Sequence, residues 1–407
     1  MRMHGKAATM LATVALTVVA LTGVASASPP PANSPWLQSN YNAAKSRANL
    51  SETTLTTSTI SGVALRRSIT AAPNPDSQCA GFEGVVTPIV SDGFAFGVFN
   101  GYLQKVNVAN GAVVWRIAPD TTFSTRFRSI AVSGSLVLLS GVGCDSVSDP
   151  NGFIAAYQVS NGTLVWSGTT PPVNPLFDMV VVSGFAVVTG ETIGSGAAIA
   201  VVSVSTGAVA WSDNTDACTV PVQAVVVGGL VVYNFCDFSG NNFLRGAALS
   251  TGATVWTKSG AWQPLAGDRA TSVGHHVYAT DTSTGKIYDL NPANGVSRTR
   301  VAGAKAVLAV DGSRIYTTCG SATGQVCGYA LSTGLRQWNV TTGAAVSLAA
   351  FAGGVLYLSN GKALRASSGA TLKTLWSGQA TSLVVGDGRI CAVVNAQKLN
   401  VYGLSNA

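Results

Sequence analysis

The stretch "LSTGATVW", Leu249–Trp256, constrains this chain more than any other, because close copies of it recur. "VANGAVVW" ends at Trp115, "VSNGTLVW" at Trp166, "VSTGAVAW" at Trp211 and "LSTGLRQW" at Trp338, each with its tryptophan four residues after a glycine. Counting the looser copies, these turn glycines are Gly111, Gly162, Gly207, Gly252, Gly295, Gly334 and Gly369, separated by 35 to 51 residues. Thr299 takes the tryptophan position in the fifth copy, and the seventh delays it to Trp376. Asn-Gly or Thr-Gly between apolar runs signals a hairpin, since such residues tolerate the positive φ of tight turns.

A second landmark alternates with the first. It is a turn glycine followed by an apolar run, at Gly93, Gly134, Gly184, Gly229, Gly274, Gly312, Gly354 and Gly388. Each unit then reads as strand A, a tight turn, strand B, a longer loop, strand C, the Asn/Thr-Gly turn, and strand D carrying tryptophan. Four strands in about 40 residues is the pattern of a propeller blade. Eight A–B turns but only seven C–D turns leave the last blade without its outer strand. The segment "TLTTSTISGVALRRSIT" ahead of the first blade has the composition to supply it, which would close the ring and remove an open edge. The expectation is an all-β, eight-bladed β-propeller of four-stranded blades, closed by an N-terminal strand completing the last blade.

The organisation follows. Residues 1–27 read as a signal peptide: Arg2 and Lys6, then "MLATVALTVVALTGVA", then a small-residue cleavage site near Ala27. Residues 28–58 form a lead-in and 59–407 a single propeller domain. No later run reaches the roughly 18 apolar residues of a membrane span, and no cysteine at the cleavage point offers a lipid anchor. The protein is therefore expected to be secreted, extracellular or periplasmic, and monomeric. Removing Arg2 and Lys6 lowers the formal charge from +7 to +5, and the remaining cations are scattered. That argues against nucleic acid, which wants a basic groove with interleaved aromatics.

The tryptophans Trp115, Trp166, Trp211, Trp256, Trp338 and Trp376 read as structural. A ring lying between blades would bury about 200 Å², with its indole N–H on a carbonyl of the neighbouring blade. Seven cysteines in an exported chain suggest disulfides. Cys79 precedes blade one and Cys144 falls in the B–C loop of blade two. Cys218 and Cys236 flank strands A and B of blade four, and Cys319 and Cys327 bracket one B–C hairpin. All six fall on one face in three plausible pairs, although six cysteines permit 15 connectivities. Cys391, inside "RICAVV", is expected to be a buried free thiol.

The turn glycine, the alanine of the third strand, the Thr-Gly turn and the tryptophan together resemble the repeat of pyrroloquinoline-quinone-type (PQQ-like) propellers. That family includes quinoprotein alcohol dehydrogenases and BamB of the outer-membrane assembly machinery. The likeness runs from about Ser34 to the end, and "PWLQSNYNAAKSRANLSETTLT" resembles the lead-in before the first blade. In the dehydrogenases the resemblance implies a quinone in the central funnel, on a tryptophan floor and capped by a disulfide between adjacent cysteines. It also implies calcium held by Glu, Asn and Asp, with an Asp as base. No two cysteines are adjacent here, and only Glu52, Glu83 and Glu191 are glutamates. No catalytic residue of that family carries over to a matching position.

Other constellations are thin. His275 and His276 are neighbours, so on a strand they point to opposite faces and share a metal poorly; they read as solvated turn histidines. No third histidine remains for a catalytic zinc. Asp145, Asp149 and Asn151 offer oxygen ligands for calcium in one loop, which also reads as an ordinary Asp-Pro-Asn-Gly turn. Arg67, Arg126, Arg128, Arg245 and Lys286 are cations that a trianionic quinone could use. A polysaccharide-cleaving site would need paired carboxylates about 5 to 10 Å apart, which a one-dimensional reading cannot find across blades. The expected function is a non-catalytic binding or scaffold module for a protein or cell-surface glycan partner, with no cofactor. The alternative is a small PQQ- and calcium-dependent dehydrogenase of alcohols or sugars.

Overall fold

The computed structural model describes residues 34–70, 86–99, 102–118, 125–143, 152–169, 176–192, 196–215, 222–237, 239–267, 275–395 and 398–405. Those residues form eight sheets, each built on four antiparallel strands, and no α-helix; in blades one to seven each of these four strands lies beside its sequence neighbour. Blades one to eight span residues 89–117, 125–169, 176–215, 224–259, 262–301, 304–341, 349–374 and 380–403. Blade three is representative, with strand A Leu176–Val182, B Phe185–Glu191, C Ala197–Ser203 and D Val209–Thr215. The outer strand of blade eight comes from the other end of the chain. Ala64–Thr70 pairs antiparallel with Lys398–Gly403, with Leu65 opposite Tyr402 and Ile69 opposite Leu399.

Position in the blade decides composition. Inner strands are covered on both faces by neighbouring blades, so all four residues of Ala224–Val227 and all six of Arg389–Val394 are buried. Outer strands bury little. In Val113–Ile117 only Trp115 is buried, while Val113 and Val114 are each 50% exposed. The tryptophan is therefore what fastens an outer strand to the next blade.

The joint is built from two parts of the repeat. The indole N–H of Trp115 donates to the Val159 carbonyl (3.0 Å), Trp166 to Val204 (2.9 Å), Trp211 to Leu249 (2.7 Å), Trp256 to Pro292 (2.5 Å) and Trp338 to Ala366 (3.0 Å). Each acceptor lies three residues before the turn glycine of the following blade. That glycine also receives the ring: a Cβ on Gly252 would stand 2.8 Å from Trp211, where the backbone has φ +73°. Only the glycine of each such turn is left-handed; Asn110 and Asn161 are not. Instead Asn107 Oδ1 accepts the N–H groups of Ala109 and Asn110, which shapes the loop before the glycine.

Trp376 departs from this pattern. Its three-residue delay carries it past the outer strand Thr371–Thr374, so it bonds to Ser359 of its own blade (3.2 Å) and packs on Tyr402 of blade eight. At the joint from blade eight to blade one, Arg67 stands in the tryptophan's place and donates from Nε and Nη2 to the Ala109 carbonyl (3.3 and 3.2 Å).

Candidate functional site: the central channel

Strand A of each blade presents its free edge to the central channel, with unpaired backbone groups that need partners. The lead-in supplies them. Trp36 exchanges two backbone hydrogen bonds with Val90 of blade one (2.7 and 3.0 Å), and the Leu37 carbonyl accepts from Val132 of blade two (2.8 Å). The Gln38 side-chain amide acts as a backbone unit, donating to the Val181 carbonyl (3.0 Å) and accepting from the Val181 N–H (2.8 Å) in blade three. Carbonyls of Ala43, Ser46 and Arg47 accept from Val226, Val310 and Phe351 of blades four, six and seven (2.8, 2.8 and 2.9 Å). Ala48–Asn49 adds a parallel strand to blade seven, and Asn49 Nδ2 donates to Val385 of blade eight (2.9 Å). One segment thus fastens the inner strands of seven blades, each just before its A–B turn, and crosses the channel at that end.

The crossing is tightly wound. Tyr41, Lys45 and Arg47 all have positive φ (73°, 55° and 51°), a conformation costing about 1–2 kcal/mol each for non-glycine residues. Asn40 and Asn42 hold it. The Lys45 N–H donates to the Asn42 carbonyl (2.8 Å), the Arg47 N–H to the Asn40 carbonyl (3.1 Å), and the Ser46 N–H to Asn42 Oδ1 (3.1 Å). Strain of this kind persists where surroundings over-determine the backbone, and it clusters at functional sites.

Toward the starts of the A strands the segment leaves a cavity of ≈ 360 Å³. Its polar lining is Asn40, Lys45 and Arg47 from the lead-in, with Asp178 and Gln223; Val222, Leu265, Ala266, Val307 and Leu308 make the apolar wall. Lys45 Nζ pairs with Asp178 Oδ2 at 2.6 Å. Arg47 Nε donates to Asn40 Oδ1 (2.9 Å), and burial pulls its guanidinium below the usual arginine range, partly offset by Asp178. The quinone–calcium set that the resemblance implies does not fit these residues. Asp178 is the one carboxylate among the described lining residues, and Lys45 already holds it. Glu52 is buried and committed to structure, accepting from Ser34 Oγ and from the Thr54, Leu55 and Gly388 N–H groups (2.9, 2.7, 3.1 and 3.0 Å). No group of three His, Cys, Asp or Glu side chains converges among the described residues.

The candidate residues of the sequence reading scatter. Arg67 lies at the outer edge, and Lys286 is exposed at the start of an outer-half strand. Arg245 lies between blades three and four, ion-paired with Asp213 beside Tyr233, whose phenol burial pushes up. Arg128 is on the inner strand of blade two, its guanidinium pulled down by burial, and Arg126 lies on the same strand. The channel's own cations, Lys45 and Arg47, lie in a lead-in with no periodicity to mark them; the asparagines Asn40 and Asn42 just ahead of Ala43-Ala44 are the signal the sequence offers.

The histidine expectation is corrected. His276 is not a solvated turn residue: it is buried, with Nδ1 2.8 Å from Asp289 Oδ2 and its ring parallel to Tyr278 at 6.3 Å. Position decides this, because it enters an inner-half strand of blade five between two neighbours. Cys319 and Cys327 form a disulfide, Cys236 is disulfide-bonded, and Cys391 is a buried free thiol. Cys79, Cys144 and Cys218, and the calcium candidates Asp145, Asp149 and Asn151, lie outside the described residues. Among the described residues no helix is long and apolar enough to cross a membrane.

Comparison with known proteins places this architecture. No curated protein matches the sequence. The fold is similar to quinohemoprotein alcohol dehydrogenase from Comamonas testosteroni (TM-score 0.65, 11% identity, 92% of this chain and 81% of that one). It is also similar to BamB from Moraxella catarrhalis (TM-score 0.55, 14% identity, 84% and 100%) and to the computationally designed protein Ika8 (0.61, 12%, 83% and 100%). An oxidoreductase, an assembly factor and a designed protein share the fold, so it carries no chemistry by itself. The family profile described as outer membrane protein assembly factor BamB matches residues 99–243 and 241–403. With the repeat, the eight blades and that match in agreement, the chain belongs to the PQQ-like propeller family described by BamB.

Proposed function

We propose that this chain is an exported, non-catalytic propeller that acts as a binding module for a protein or cell-surface partner, without a quinone. The observation that supports this reading is the lead-in across the channel, whose one carboxylate, Glu52, and whose amides Gln38 and Asn49 serve the ring's own construction. The working surface would be the face bearing the B–C loops and the starts of the A strands. Its hairpin over Gly320–Gly324 is clamped by Cys319–Cys327, and Cys236 is bonded nearby in blade four's B–C region. Loops held by such clamps on a rigid scaffold lose less conformational freedom on binding, which favours recognition.

The test is a titration of the purified protein with PQQ, with and without calcium, reading absorbance, melting temperature and dye reduction by alcohols or sugars. A ligand selective for the native state stabilises it by about 2.7 kcal/mol at 100 times its Kd. No shift at millimolar PQQ is the expected result. A shift accompanied by dye reduction would overturn the reading in favour of a small dehydrogenase.

A further inference from the structure

The lead-in carries one more positive charge into the channel than its contacts use. Lys45 is neutralised by Asp178 at 2.6 Å, whereas Arg47 spends only Nε, on the neutral oxygen of Asn40. No protein group among the described residues accepts from its Nη1 or Nη2. With Lys45 and Arg47 against Asp178, the described lining residues hold two positive charges and one negative, a net +1. Arg47 is half-buried; its guanidinium stays protonated in such a setting, and donors that face a confined cavity are well placed to meet an anionic acceptor. The left-handed backbone at Arg47 and the Asn40 contact fix where that fork sits.

The rest of the cavity narrows the class of acceptor. Its volume of ≈ 360 Å³ suits a small organic molecule and greatly exceeds what one bare ion needs. The rest of the described lining is aliphatic, from Val222, Leu265, Ala266, Val307 and Leu308. A planar fork matches a carboxylate with two parallel hydrogen bonds, and a net +1 matches a monoanion.

We propose that the channel cavity binds a small organic monocarboxylate, its carboxylate on the Arg47 guanidinium and its apolar body against the Val222–Leu265–Val307 wall. This site lies toward the same end of the ring as the loop face and goes beyond the partner-binding role proposed for that face. Lys45 and Asp178 act as a pair that sets the charge beside it, and Asn40 orients the fork.

Calorimetry and melting curves on the purified protein test it, with hexanoate and benzoate as probes and hexanamide and inorganic phosphate as controls. Both carboxylates are expected to bind and raise the melting temperature, while the amide and phosphate do neither. Arg47→Gln is expected to weaken hexanoate at least about tenfold, the worth of charge-assisted hydrogen bonds. Asp178→Asn releases Lys45 and is expected to tighten hexanoate, an effect no purely structural role would produce. Absence of hexanoate and benzoate binding at tens of millimolar, phosphate binding as tightly as hexanoate, or Arg47→Gln binding like the wild type would each overturn the proposal. Should Arg47→Gln fail to fold, Asp178→Asn decides: equal or weaker hexanoate affinity overturns it.

Discussion

Two joints of the same ring are made differently. Between blades three and four, Trp211 lies against Gly252 and donates to the Leu249 carbonyl. Between blades eight and one, Arg67 donates to the Ala109 carbonyl, and a Cβ on Gly111 would find Arg67 Cδ no closer than 3.7 Å. Gly111 keeps the same left-handed conformation, φ +76° against +73° at Gly252. The turn geometry is thus a property of the hairpin, whereas the tight fit of glycine against a ring is a property of the joint. At the arginine joint the fastening moves inward. Asp387 of blade eight accepts from the Ser34 N–H (3.0 Å) and from the Gly93 N–H of blade one (3.3 Å).

Substitutions at the two joints are expected to separate them, the tryptophan first. Trp211→Ala removes a ring that fills space between blades and is expected to cost about 3–5 kcal/mol in urea unfolding. Gly252→Ala combines left-handed strain with a clash against that ring, for about 2–4 kcal/mol. Gly111→Ala meets the strain without the clash and should cost only about 1–2 kcal/mol. Equal losses at the two glycines would show that the ring contact contributes nothing. Arg67→Ala, at an exposed edge, is expected to cost about 0.5 kcal/mol.

The two joints should also differ in pH dependence. Burial, as the largest cause, raises the Asp387 carboxyl above its ordinary value, against the hydrogen bonds from Ser34 and Gly93. A raised folded-state pKa contributes stability that is complete below the unfolded carboxylate value and is lost as pH rises through the folded value. The wild type should therefore lose stability relative to Asp387→Asn as pH increases from about 4 toward 7, measured by urea midpoints. A parallel pH profile for the two proteins would remove Asp387 from the account. Burial likewise pushes the Cys391 thiol up to about 12, so it should resist thiol reagents until the protein unfolds.

Much of this was legible in order along the chain. The repeat of glycine and tryptophan marks seven C–D hairpins, since turn chemistry and strand alternation are local properties. Cys319 and Cys327 sit on one hairpin and were readable for the same reason. The interior was not. His276 looks like a turn residue until blade five is packed against its neighbours, and Trp376 looks like its fellows until three extra residues carry it past strand D. Arg245 and Arg67 are cations on paper, but one is spent between blades and the other lies at the rim.

The amino-acid sequence alone determined the blade, its count and its turn chemistry, because these repeat at short range and each copy restates the others. Only the tertiary structure decided what the lead-in does. Its partners are Val90, Val181, Val226, Val310, Phe351 and Val385, up to 336 residues away in the chain. They come within reach only when the ring brings eight inner edges together around one channel. The cationic fork of Arg47 is placed for the same reason: a charge beside small residues in the sequence becomes a donor facing the channel cavity once those edges surround it.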